Sequence, residues 1–231
     1  MFELSDELDI TVVSDIGIDK KSAFIIDNFY KDPDAVRFIS IRGQGGGMSG
    51  GMPGNRVCFP TNEIRNLKPL FDQICFDEDI WGRPTDKDKY ESSWGNASYM
   101  CNFITSESIV EMPGGLIPHQ DTYELDPHPS QFGVVIYLNV PEECNGGTSI
   151  WSYNGQMTVK DKLHDLLSKL EREKATYEEV QEVMSSSFNK EHVLEMKYNR
   201  AVVYPTDILH SAELKSEWFK EYPRIAQVLF L

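Results

Sequence analysis

From about residue 98 onward the chain is a succession of short apolar runs, each ended within a few residues by Gly, Pro or Asn. They fall at 99–104, 108–111, 133–140, 148–151, 193–198, 201–205 and 225–231. Runs of this length and punctuation are the pattern of an antiparallel barrel or sandwich, so the fold class is expected to be mainly β. Residues 160–170 and 177–184 interrupt the pattern. They are charged and amphipathic, and are expected to form a helical insert at about 158–188, packed on the outside.

The first 95 residues read as an α-rich flanking part. A β-rich block at 23–29 is followed by Asp32 and Pro33, which can cap a helix running through Val36, Phe38 and Ile39. Thr61, Asn62 and Glu63 open a second helix, whose apolar positions Ile64, Leu67, Leu70, Phe71 and Ile74 have helical spacing. With no internal repeat and no linker, residues 1–231 are expected to form a single domain, its β core spanning 96–231.

Residues 43–54 contain seven glycines and two methionines. Such a stretch has high backbone entropy and little to pack, so it reads as a surface loop or as a lid over a pocket.

Composition limits the partners. The chain is 40% hydrophobic, enough for a sizeable core, and its net charge of −15 disfavours a nucleic-acid backbone or an anionic membrane as the main partner. No apolar run approaches a membrane span, and the acidic N-terminus lacks the apolar stretch of a signal peptide. Cys58, Cys75, Cys101 and Cys144 form no CxxC pair and read as reduced thiols. The expected location is therefore the cytoplasm.

The candidate chemistry begins at Ile117, Pro118, His119, Gln120 and Asp121. On an extended segment, positions i and i+2 share a face, so His119 and Asp121 can offer an imidazole and a carboxylate to one ion. A bare HxD arises often by chance. A second histidine, His210, follows the late apolar run 201–205, and two histidines with one carboxylate suit iron(II) oxygen chemistry because they leave coordination positions open. Arg224 then opens the apolar segment 225–231. A guanidinium there is costly unless an anion meets it: either a small dicarboxylate or an ordinary protein acid at the rim.

Taken in order, Gly114 to Asp121, the Tyr137-Leu138-Asn139 triplet, the Gly146-Gly147-Thr148 turn, His210 and Arg224 resemble the prolyl-hydroxylase-like branch of the 2-oxoglutarate/Fe(II)-dependent oxygenases. The likeness covers roughly the second half of the chain. It implies a double-stranded β-helix (jelly roll) with flanking helices. It also implies a facial triad of His119, Asp121 and His210 holding Fe(II), with Arg224 and Tyr137 binding the distal carboxylate of the co-substrate 2-oxoglutarate. Arg200 and Lys197 are next in line for that clamp. The implied reaction uses O2 and releases succinate and CO2. Retention of Asp121 favours hydroxylation over chlorination, because halogenating relatives replace this carboxylate. Arg224 stands 14 residues after His210, farther than in relatives, as an insertion at 215–222 would produce.

Two other readings keep the same barrel: a cupin-like metalloprotein holding zinc, manganese or nickel, and a binding module without turnover. The prime substrate stays open between a protein residue, an amino acid and a small metabolite. The oligomeric state is also open.

Overall fold

A computed structural model describes residues 1–43, 53–95, 98–121, 130–154 and 176–231. Within them, ten strands form two antiparallel sheets. In chain order the strands are β1 (Asp9–Ile16), β2 (Lys21–Asp27), β3 (Asn55–Pro60), β4 (Ser98–Ile104), β5 (Phe132–Tyr137), β6 (Gly147–Tyr153), β7 (Phe188–Glu195), β8 (Arg200–Pro205), β9 (His210–Glu213) and β10 (Arg224–Phe230). The larger sheet runs β1-β2-β8-β5-β10-β4-β3 and the smaller β7-β6-β9. The helices are α1 (Pro33–Gly43), α2 (Lys68–Cys75), α3 (Glu78–Trp81), α4 (Lys87–Gly95), α5 (Ser106–Glu111) and α6 (Tyr177–Ser187).

The central strands β5, β8 and β10 are buried along almost their whole length, which is why they read as continuous apolar runs rather than alternations. One face of the large sheet, with Phe24, Val134, Val203 and Leu229, packs under α2 and α4 through Phe71, Ile74, Tyr90 and Trp94. The opposite face, with Val135, Tyr137, Val202 and Ala226, meets Ile150 of β6 and Leu194 of β7. Trp94 is thus a core residue, 3% exposed.

The expected helices begin where their caps stand. Asp32 Oδ1 accepts from the Ala35 N–H at 3.0 Å ahead of α1, and Thr61 caps the 3-10 turn leading into α2. One expectation is extended and one is corrected. The first 95 residues hold α1 to α4, four of the six helices among the described residues, and they also supply β1, β2 and β3 of the seven-stranded sheet. β3 is hard to read from sequence because it is short, ends in proline and follows a glycine-rich stretch; its pairing with β4 makes it a strand. Finally, residues 108–111 are helical, not extended. Thr105 and Ser108 form a reciprocal capping box that starts α5.

The glycines of the Gly146-Gly147-Thr148 turn are sterically required. Gly146 and Gly147 have φ of 74° and 151°, and a Cβ on Gly147 would lie 2.2 Å from the Leu194 carbonyl oxygen. Only glycine lets β6 enter between β7 and β9 this closely.

Of the expected helical insert, Tyr177–Ser187 is a helix that buries Val180 and Met184 against the inter-sheet core. Its first part, 160–170, lies outside the described residues, as do His128, His164 and positions 44–52 of the expected lid. No helix among the described residues is long and apolar enough to cross a membrane.

Candidate functional site

Backbone pairing assembles the site. A 3-10 turn at Pro113–Leu116 leads to His119, whose N–H donates to the His210 carbonyl at 2.9 Å while the His210 N–H donates back at 2.9 Å. The Asp121 N–H donates to the Thr206 carbonyl at 3.0 Å. The HxD segment is therefore zipped to the loop before β9 and to its first residue. The expected pair on one segment and the single histidine on another converge.

The ligand-capable atoms of His119, Asp121 and His210 all lie within 4.8 Å of one another. His210 Nε2 stands 3.1 Å from Asp121 Oδ2, and His119 Nε2 stands 3.7 Å from Asp121 Oδ1. Each ring is oriented from behind: His119 Nδ1 lies 2.9 Å from the Ile117 carbonyl and His210 Nδ1 lies 3.0 Å from that of Ile208. With Nδ1–H donated to a carbonyl, Nε2 presents its lone pair inward, the tautomer a metal requires. Burial pushes the His119 pKa down, and the neighbouring His210 charge lowers it further, so the neutral imidazole is favoured. Burial pushes the Asp121 carboxyl up. The hydrogen bond and charge of His210, with the charges of His119 and Arg56, outweigh this and hold it below its ordinary value.

Arg224 opens β10 and is 3% exposed. No carboxylate among the described residues pairs with it. Its Nη2 reaches only the Gly147 carbonyl at 3.5 Å, its Nε has no hydrogen-bond partner, and its guanidinium sits 5.4 Å over the Tyr137 ring. A buried charge in this state costs several kcal/mol unless a counter-ion joins it. Tyr137 is fully buried, and its hydroxyl is engaged with Thr148 Oγ1 at 2.8 Å and the Leu194 carbonyl at 3.4 Å.

The two fallback cations are already committed. Arg200 forks onto Asp27 with Nε at 2.6 Å and Nη2 at 3.0 Å, and Lys197 joins the same carboxylate at 2.8 Å. Asp207, three residues before His210, pairs with Arg83 at 2.7 Å and Lys21 at 3.4 Å. Two residues that sequence reasoning did not single out also face the site. Arg56 on β3 donates through Nε to Asn102 Oδ1 at 2.8 Å, and its charge acts on Asp121. The only sequence signal was a lone arginine in an alternating segment, which lacks meaning until β3 is placed beside β4.

The sequence profile of a family of unknown function, DUF6445, matches residues 8–224. The chain belongs to this family. The DUF6445 match takes in every residue of the triad, and Arg224 is its last position. No curated protein matches the chain. Among solved structures it is similar to an N-substituted L-amino acid dioxygenase from Burkholderia ambifaria AMMD, at 13% identity and TM-score 0.40, over 90% of this chain and 82% of that one. The same enzyme in complex with alpha-KG gives 12% identity and TM-score 0.38, over 92% and 82%.

Proposed function

We propose that this DUF6445 chain is an Fe(II)- and 2-oxoglutarate-dependent dioxygenase, built as one double-stranded β-helix domain over residues 1–231. His119, Asp121 and His210 hold the metal, and Arg224 with Tyr137 receives the distal carboxylate of the co-substrate. The observation that carries the reading is Arg224, a buried guanidinium with an orphaned Nε and no acid partner among the described residues, on the face that Ala226 of the same strand turns to the inter-sheet core. A cupin-like metalloprotein has no standing need for such a cation, and no acid among the described residues fills the role.

The donor set fits the metal. Two imidazole nitrogens and one carboxylate oxygen leave coordination positions open, which a chelating co-substrate and dioxygen need. When bound, iron with 2-oxoglutarate and O2 supplies hydroxylation of an unactivated carbon, with release of succinate and CO2. The protein's part is orientation and exclusion of water. Carbonyls 117 and 208 fix the two rings, and the 206 carbonyl fixes the Asp121 backbone. Arg224 presents a planar fork of donors from a dry strand end, matched to a carboxylate. The Thr148 hydroxyl holds the Tyr137 hydroxyl in place near that fork. The substrate is a small molecule or a peptidyl residue.

The test is to titrate 2-oxoglutarate into the iron-loaded protein without oxygen, following the metal-to-ligand absorbance band, and then to measure succinate after oxygen is admitted. Appearance of the band and of succinate supports the reading. A protein that binds iron but neither develops the band nor forms succinate is not an oxygenase of this class.

A further inference from the structure

The inter-sheet face carries a second cation, Arg56. On β3, Arg56 stands opposite Asn102 of β4, Asn102 opposite Ala226 of β10, and Ala226 opposite Tyr137 of β5. Directly paired residues of an antiparallel sheet share a face. Ala226 and Tyr137 belong to the core between the two sheets, so Arg56 and Asn102 point to the same side as Arg224. Two strand spacings, roughly 10 Å, separate β3 from β10. Arg56 and Arg224 therefore stand on the same face, two strands apart.

The start of β3 is held against the metal-ligand segment. Pro53 packs on Gly115 so closely that a Cβ there would lie 2.4 Å from the Pro53 ring, four residues before His119. Asn102, 6% exposed, takes the Arg56 Nε, which fixes the plane of the guanidinium. Arg56 is half-buried, and among the described residues only its Nε has a protein acceptor, so its two terminal nitrogens face outward.

The charges of a bound divalent metal, Asp121, the two carboxylates of 2-oxoglutarate and Arg224 cancel. Among the described residues, Arg56 then adds one positive charge to this face that no described carboxylate offsets. We infer that Arg56, held by Asn102, is the anion-binding residue for the prime substrate, and that this substrate is a small molecule carrying a free carboxylate. The inference rests on the oxygenase reading and narrows it from any protein residue or metabolite to carboxylic acids. A planar fork with its two terminal donors free suits a carboxylate in the bidentate manner.

The test uses the full chain and its Arg56→Gln and Arg56→Lys variants. With manganese in place of iron, 2-oxoglutarate affinity is measured by calorimetry. With iron, succinate formation is measured against a panel of free L-amino acids and short monocarboxylic acids, each beside its methyl ester. In wild type at least one acid should raise succinate formation, with a kcat/KM roughly ten- to a hundredfold above that of its ester. Arg56→Gln should erase that preference, Arg56→Lys should keep part of it, and both should hold 2-oxoglutarate within about twofold of wild type, an effect of well under one charged hydrogen bond. The inference is overturned if esters serve as well as acids, if no acid on the panel stimulates, or if Arg56→Gln keeps the preference. It is also overturned if Arg56→Gln weakens 2-oxoglutarate as Arg224→Ala does, which would place Arg56 in the co-substrate clamp. Failure of wild type to bind 2-oxoglutarate at all would instead remove the oxygenase reading, and this inference with it.

Discussion

His119 and His210 clasp each other through their backbones, each N–H donating to the other's carbonyl at 2.9 Å, and this brings their ring centroids to 4.7 Å. The clasp uses no side-chain atom. His119→Ala and His210→Ala are therefore expected to abolish iron retention while keeping the far-ultraviolet circular dichroism of wild type. His210 is 5% exposed, so its variant should lose more stability than the half-buried His119. Iron content after anaerobic loading and dialysis checks this; a variant that keeps its iron removes that residue from the ligand set. Zinc, which has no redox chemistry, should occupy the same site and inhibit.

Arg224→Lys keeps the charge and loses the two-donor plane. Since hydrogen bonds to charged partners contribute roughly 1.5–3 kcal/mol each, 2-oxoglutarate binding should weaken by about one to two decades, and further in Arg224→Ala. Iron retention should be unchanged in both. Succinate, which carries the same distal carboxylate, should compete in wild type and lose that ability in Arg224→Ala. An unaltered dissociation constant in Arg224→Ala would dismiss the clamp, because Arg200 and Lys197 are tied to Asp27.

Arg224→Met tests the cost of the unpaired charge. Without co-substrate, the unfolding midpoint should stay level or rise, since an uncompensated buried cation is replaced by an apolar chain of similar length. Wild type should be raised by 2-oxoglutarate in thermal melts with manganese, and the variant should not. A variant that unfolds well below wild type without ligand would mean that Arg224 is structural.

Tyr137→Phe removes a hydroxyl held by Thr148 at 2.8 Å. It leaves Thr148 Oγ1 without that partner in a buried place, so a loss of about 1–2 kcal/mol is expected in chemical denaturation. Its effect on 2-oxoglutarate affinity should be smaller than that of Arg224→Lys, because Tyr137 carries no charge. An equal or larger effect would make the tyrosine the dominant contact.

The Asp27 carboxyl, held by the Arg200 hydrogen bond against the opposing effect of burial, is pushed down from 3.8 to about 2. A depressed carboxyl contributes stability in full above its ordinary value and loses it as pH falls through the folded value. Wild type should therefore lose this contribution, of order 1–2 kcal/mol after solvent screening, between about pH 4 and pH 2. Asp27→Asn should be less stable at neutral pH and converge on wild type near pH 2. Parallel urea curves for the two proteins across that interval would refute it.

Sequence fixes those features that depend on local pattern. The HxD pair needs only two-residue periodicity to share a face, and Gly146 with Gly147 marks a turn that admits no side chain. Asp32 and Thr61 announce their helices through caps that span three residues or fewer. Local pattern could also mislead. Residues 108–111 look extended, yet a capping box makes them helical. Long-range pairing decided the rest. β3 is a strand because β4 lies beside it, and only then does Arg56 face the cleft. Arg200 and Lys197 stood next in line behind Arg224 until β2 brought Asp27 to them. Arg224 itself differs from a rim arginine only in what surrounds it: a buried strand end with no carboxylate among the described residues. A side chain's charge is written in the sequence, but its partner is set by contacts between residues far apart in the chain.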